Sequence, residues 1–120
     1  TPASLNKTQT IAAVTTLEQP REKHTSHAAS ATHTIDYADG TSQEIALTAD
    51  TTIGLPAPQT GRFFTLFLRA DATGGHLATL TGVKWMAGTP GDIPGDEQII
   101  VSLITDGTTW IGSFVGPAPQ

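Results

Sequence analysis

The 120-residue chain contains no cysteine, which excludes disulfide bonds and thiolate metal sites. Charged side chains are scarce at 14%, and no apolar run approaches the ~18 residues that a membrane-spanning helix needs. Walker, dinucleotide-binding and Gly-x-Ser-x-Gly motifs are also missing. The sequence therefore carries no recognisable catalytic signature, and we expect a protein that is not an enzyme and needs no cofactor.

The few charges are unevenly placed along the chain. Three basic and two acidic residues give residues 1–29 a net charge of +1, whereas three basic and nine acidic residues give residues 30–120 a net charge of −6. An acidic body repels phosphate, so nucleic acid is not an expected partner. Lys-rich patches that would bind a membrane surface are absent as well, so no membrane partner is expected.

The strongest signals that remain are those of β-strands. Thr, which favours strands, and Gly, which favours turns, are abundant, and apolar residues recur with a period of two from Ala31 onward. Asp-Gly at 106–107 lies between two apolar runs, a pattern typical of a hairpin. We therefore predict one all-β domain over residues 30–116, an antiparallel β-sandwich of the jelly-roll type, followed by a short C-terminal tail at 117–120.

Residues 1–29 differ from the rest in having few large apolar side chains. Pro20 would end any helix in this segment. We interpret it as an extended N-terminal arm that becomes ordered on a partner, the alternative being a disordered leader. The side chains expected to contact that partner are Leu5, Lys7, Ile11, Val14 and Leu17.

The clearest predicted strand covers residues 62–71. One of its faces is apolar throughout, from Phe64 to Ala70, and the other carries Phe63 and Phe67. A strand that is solvated on one side does not need phenylalanine on its second face. We therefore expect Phe63 and Phe67 to contact another sheet or another subunit, the alternative being burial under the chain's own loops.

Two groups of side chains resemble metal ligands but lack a metal-binding spacing. The first group, near the end of the arm, consists of His24, His27 and His33. Histidines three apart in an extended segment do not face the same side, so we expect no zinc or nickel site. The second group, Asp92, Asp96 and Glu97, lacks the spacing of a twelve-residue calcium loop and is interpreted as a solvated acidic loop.

The two tryptophans receive different interpretations. Trp85 follows Lys84 beside a loop, so it is the better candidate for an exposed platform that stacks on a glycan of a host surface. Trp110 lies inside an apolar strand pattern and is expected in the core.

Several segments, taken in order, resemble a module of tailed-bacteriophage virion proteins. They include Thr-Ile-Asp at 34–36, the run 43–53, a Gly-Arg-Phe-Phe-Thr-Leu strand that begins at Gly61, Gly-Gly-His at 74–76, Val-Lys-Trp at 83–85 and Asp-Gly-Thr-Thr-Trp at 106–110. Order and spacing agree over about residues 33–115, and the arm is not covered. The resemblance implies a structural protein, usually a trimer, with no catalytic residues.

From this resemblance and the small size of the chain we expect a capsid decoration or cement protein on the virion surface, assembled in the host cytoplasm. Its arm would bind the major capsid protein by adding backbone hydrogen bonds to a sheet edge. One alternative is a domain of a tail or head fibre that binds a host receptor. Another is a carbohydrate-binding module of a secreted enzyme.

Overall fold

A computed structural model describes residues 23–120, which consist of strands, loops and one short 3-10 helix. The all-β prediction is confirmed for these residues, among which there is no α-helix. The strands are β1 (His24–His27), β2 (Thr32–Thr34), β3 (Ser42–Leu47), β4 (Thr51–Gly54), β5 (Phe63–Ala70), β6 (Gly74–His76), β7 (Ala78–Leu80), β8 (Val83–Trp85), β9 (Ile93–Pro94), β10 (Glu97–Thr105) and β11 (Trp110–Pro119), and the helix is Tyr37–Asp39.

The first half of the described chain winds as a coil. It passes from β1 to β2, from β3 to β4 and from β5 to β7, so each turn contributes one strand to each of two sheets. Successive turns pair in parallel, β1-β3-β5 in one sheet and β2-β4-β7 in the other. The register places His24 beside Ser42 and Ser42 beside Thr65, which is the stacking of a short solenoid.

The second half of the chain widens one of the two sheets. β10 pairs antiparallel with β5, β11 pairs antiparallel with β10, and β8 pairs parallel with β11. The result is a six-stranded sheet in the order β1-β3-β5-β10-β11-β8, and β6 and β9 form a small separate pair. The expectation of an antiparallel sandwich is corrected here, because five of the eight strand pairings are parallel. The turns after β1 and β3 carry the chain into the second sheet instead of back along the first.

The core lies between the coil's two sheets and extends under the hairpin. Strands β3, β5 and β10 alternate between buried and more exposed side chains, as expected for strands with one face in a core. Trp110 is 3% exposed and packs against Phe64, with the ring centroids 5.4 Å apart, so its predicted core position is confirmed. Its indole Nε1 donates to the carbonyl oxygen of Pro56 at 2.9 Å, which satisfies the one polar atom of the side chain.

The predicted terminal hairpin is present, with a longer loop than a two-residue turn. Thr105 pairs with Trp110, and residues 106–109 form the connection. The carboxylate of Asp106 accepts hydrogen bonds from the backbone N–H groups of Thr108 and Thr109 at 2.9 and 3.0 Å. These bonds lower the pKa of Asp106 from its usual value. The Asp-Gly pair thus acts through the aspartate side chain and through the positive φ of Gly107.

Two predicted boundaries differ from the strands that form. β1 begins at His24, inside the predicted arm of residues 1–29, and β11 runs to Pro119, inside the predicted tail. The side-chain amide of Gln120 donates to the carbonyl oxygens of Ala70 and Glu97 at 2.7 and 2.9 Å, which attaches the last residue to the sheet. The five predicted arm contacts, from Leu5 to Leu17, lie outside the described residues.

A buried glutamine connects the coil's first two turns. Gln43 is 0% exposed, and its side-chain amide donates to the carbonyl oxygens of Asp36 and Gly40 at 3.1 and 3.0 Å. Its Oε1 lies 2.8 Å from Nε2 of His27. The side chain therefore satisfies two backbone carbonyls of the connection that leads into β3.

We expect Gln43→Leu to lower the free energy of unfolding by about 1–3 kcal/mol, because the carbonyl oxygens of Asp36 and Gly40 and the ring of His27 each lose a hydrogen-bond partner while the side-chain volume is nearly kept. Urea unfolding followed by fluorescence measures this loss. The matched control is Gln59→Leu at an exposed loop position, which should change stability by less than about 0.5 kcal/mol. Equal stability of the two variants would contradict the role assigned to Gln43.

Candidate interaction surfaces

The six-stranded sheet turns one face away from the core, and this outer face carries apolar side chains. Two rows of them cross β5, β10 and β11 in register. Phe63 is 46% exposed, Ile104 57% and Val115 66%, whereas Phe64 and Leu103, which follow and precede the first two on the inner face, are buried. The first row is Phe63, Ile104 and Ile111, and the second is Phe67, Ile100 and Val115.

A row of hydroxyl side chains separates the two apolar rows. Thr65 pairs with Ser102, and Ser102 pairs with Ser113. We call these nine side chains, the two apolar rows and the hydroxyl row, the outer block. No member of the block is charged. An uncharged and largely apolar area of this kind marks a contact surface more often than a catalytic site.

Charged side chains flank the outer block on both sides: Lys84 on β8 lies in register with Ile111, and Glu44 and Arg69 lie beside Phe67 and pair with each other. Arg69 Nη1 lies 2.8 Å from Oε1 of Glu44, and the Arg69 guanidinium carbon also lies 5.7 Å from the centroid of the Phe67 ring. The ring of His24 meets the same ring edge-on, with the centroids 5.9 Å apart. Phe67 is therefore half-buried by neighbours of its own sheet, and Phe63 is the more exposed of the two predicted interface residues.

Sequence reasoning found Phe63 and Phe67 but missed the block's members on β10 and β11. The run from Ile99 to Ile104 looks uniformly apolar, and only Ser102 interrupts it. In the structure, the side chains of this run alternate between the two faces of β10. Ile99, Val101 and Leu103 lie in the core, and the residues between them face outward. The serine was the available signal, because it fixes which positions face outward.

Trp85 lines a small cavity instead of standing exposed. Its side chain is half-buried and packs edge-on against Phe114, with the centroids 6.1 Å apart. The cavity has a volume of about 220 Å³ and lies beside β7, an edge strand of the three-stranded sheet. Its other lining residues are Leu77, Ala78, Thr79, Leu80, Thr89 and Pro90. Neighbouring Met86 is 74% exposed, so the apolar surface continues past the cavity.

Two of the three predicted clustered histidines meet at the coil's first turn. The rings of His27 and His33 are 4.2 Å apart between centroids, and His27 Nε2 lies 3.9 Å from Oδ2 of Asp39. His33 Nε2 is buried and has no hydrogen-bond partner among the described residues. Burial, and then the nearby His27, lower the pKa of His33, while Asp39 opposes the shift. His24 lies apart and bonds Ser42 Oγ through Nδ1 at 2.6 Å.

The described residues contain no group of three or more histidine, cysteine, aspartate or glutamate side chains that is arranged to hold a metal ion. A further His–Asp pair connects the ends of one turn. His76 is nearly buried, and its Nε2 lies 2.8 Å from Oδ1 of Asp71. The same oxygen accepts from the backbone N–H of Gly74 at 3.0 Å. These two contacts, the amide first, lower the pKa of Asp71, and they pin the turn between β5 and β6.

Residues 23–120 include no helix that is both long enough and apolar enough to cross a membrane. Comparison with known proteins gives no match to a family model, to a curated protein or to a solved structure. The resemblance to phage virion proteins therefore stays a prediction.

The histidine pair predicts acid sensitivity of the first turn of the coil. Because the pKa of His33 in the folded chain lies below its ordinary value of 6.5, the unfolded chain binds more protons as the pH falls through 6.5. We therefore expect the free energy of unfolding to decrease from pH 7.5 towards the lower folded pKa and to level off below it, as far as His33 contributes.

Urea unfolding between about pH 5 and pH 8 tests this expectation, in the range where histidine titrates. In His33→Gln the pH dependence should be weaker than in the parent chain, because the titrating ring is gone. The control His24→Gln removes a histidine that lies outside the contact between His27 and His33. A His33→Gln profile identical to the parent's would contradict the assignment.

Proposed function

We propose that this protein is a non-enzymatic structural component of a tailed-bacteriophage virion, a decoration protein that binds the capsid surface. The observation that carries the proposal is the outer face of the six-stranded sheet, which presents exposed apolar side chains on hydrogen-bonded strands. Such a face suits assembly, since packed sheets bury one another's faces. The resemblance over residues 33–115 supplies the virion context, and assembly would take place in the host cytoplasm.

The arm provides the proposed attachment to the major capsid protein. The chain enters the six-stranded sheet at β1, which is an edge strand, and the carbonyl oxygen of Lys23 accepts from the N–H of Ser42 at 3.3 Å. The arm is therefore joined to the described residues at one edge of the sheet, where the coil begins. An extended segment there can add a strand to a partner's sheet, with Leu5, Lys7, Ile11, Val14 and Leu17 as side-chain contacts.

In this proposal, the sandwich that the sequence predicts forms between subunits and not within one chain. A sandwich needs a second sheet over the face that carries Phe63 and Phe67, and the described residues of one chain do not supply it. A homo-oligomer would supply it. The resemblance implies three subunits, whereas one sheet packed against another requires only two, and the mass from light scattering distinguishes these numbers.

We expect deletion of residues 1–20 to abolish capsid binding and to leave the fold intact, because every described strand begins at His24 or later. Co-sedimentation with capsids that lack this protein measures the binding, and circular dichroism with thermal unfolding checks the fold. A second variant, in which Leu5, Ile11 and Leu17 are changed to Ala, keeps the length of the arm but removes its apolar contacts. It should bind capsids more weakly than the parent chain. Full binding by the deletion variant would contradict attachment through the arm.

The second candidate function is recognition of a host receptor or surface glycan by a fibre domain. The observation that favours it is the cavity of about 220 Å³ beside Trp85, because an indole wall with hydroxyls nearby suits a sugar ring. A carbohydrate-binding module of a secreted enzyme would use the same cavity.

On this second reading, Trp85→Ala should reduce adsorption to host cells and leave particle stability unchanged. Met86→Ala is the matched control, since Met86 is exposed and does not line the cavity. Cell binding and glycan binding by the isolated protein separate the fibre domain from the carbohydrate-binding module. Unchanged adsorption by Trp85→Ala would contradict the fibre domain, and unchanged glycan binding would contradict the carbohydrate-binding module.

A further inference from the structure

The outer block is symmetric in its chemistry. The hydroxyl row lies in the middle, and an apolar row flanks it on each side across the same three strands. Ser102 occupies the centre, because it lies on the middle strand β10 and in the middle row. A rotation that exchanges the two sides of the block therefore leaves its chemical pattern unchanged.

We propose that the outer block packs against the outer block of a second copy of this chain, around a two-fold axis that passes close to Ser102. The inference rests on the proposed structural role only in treating this face as a subunit contact. An axis along the hydroxyl row or along β10 places each apolar row over an apolar row of the partner and the hydroxyl row over itself. A contact made by the same face on both subunits closes as a dimer.

Charge favours a second copy as the occupant. The chain has a formal net charge of −5, so the association of two copies is opposed wherever acidic groups face each other. The outer block carries no charge, and beside it Glu44 is paired with Arg69 at 2.8 Å. The block is therefore a part of this acidic protein that can meet its own copy without burying an unpaired carboxylate. A strongly charged partner would gain no complementary charge there.

The available area sets the expected strength of the contact. Three strands about 4.8 Å apart and about five residues long at about 3.4 Å each give the outer block a projected area of roughly 250 Å². Stable complexes bury around 800 Å² on each partner, and weak ones bury less than about 600 Å². Side-chain relief adds to the projected value, which places this contact at the lower end. We therefore expect a dimer that dissociates on dilution.

The first test measures mass in solution with the full chain. Light scattering should give a mass that rises with concentration from 12.5 kDa towards twice that value. Ile104→Asp should shift this transition to at least tenfold higher concentration, because the side chain is 57% exposed in one chain and buried at the contact. Thr79→Asp on β7 introduces the same charge at an exposed position away from the block and should behave as the parent.

The second test locates the axis. The chain lacks cysteine, so Ser102→Cys introduces a single thiol at the centre of the block. Packed sheets lie about 10 Å apart, beyond the reach of a disulfide, so a short bis-maleimide is the appropriate cross-linker. We expect a covalent dimer from Ser102→Cys and none from the control Thr79→Cys at equal concentration.

A chain that stays at 12.5 kDa at every concentration, with Ser102→Cys not cross-linked, would overturn the proposal and leave the face to a different partner. A mass of three chains would overturn the two-fold arrangement. The outcome is separable from that of the proposed function. A dimer that does not bind capsids refutes the virion role alone, whereas a monomer that binds capsids refutes the self-association alone.

Discussion

Strand β5 is the constraint on which the rest of the structure depends. It pairs in parallel with β3 on one side and antiparallel with β10 on the other, so it joins the coil to the terminal hairpin. Its inward side chains Phe64, Leu66 and Leu68 are at most 2% exposed. A shift of one residue in either pairing would turn this row to solvent. The burial of one row therefore fixes the register of β5 with both of its neighbours in the six-stranded sheet.

The same alternation determines the candidate contact surface. Side chains on a strand point alternately to its two faces, so the register that buries Leu66 necessarily turns Phe67 outward. β10 and β11 show the same alternation, and the outer block consists of the outward side chains of these two strands and β5. The surface consequently lies on rigid, hydrogen-bonded elements and not on loops, which suits a structural contact better than a catalytic one.

Local patterns in the sequence predicted what local chemistry determines. The alternation at 62–71, the Asp-Gly hairpin and the core position of Trp110 all follow from side chains within a few residues of one another. The parallel winding does not, because β3 and β5 pair across an intervening strand and two loops whose direction is set by tertiary packing. The same limit applies to the ends of the domain, where β1 and the last residues of β11 join the sheet through backbone pairing that no side-chain pattern announces.

The candidate sites also differ in whether local sequence or tertiary pairing determines them. Phe63 and Phe67 were predictable because phenylalanine on a second strand face is unusual, whereas the contact between His27 and His33 arises only when two strands of different sheets meet at the coil's first turn. Trp85 was expected to stand exposed, and its packing against Phe114 comes from the pairing of β8 with β11, which are separated by the long loop and β10. Contacts that depend on such long-range pairings can be identified only once the fold is known.

The central proposal is that this chain is a structural protein of the virion surface. The most direct measurement is the binding of the purified full-length chain to phage capsids that lack it, with intact host cells as a parallel target. The account predicts saturable binding to the capsids, at a stoichiometry that matches capsid symmetry. Binding to host cells without any binding to capsids would contradict it and would assign the chain to receptor recognition.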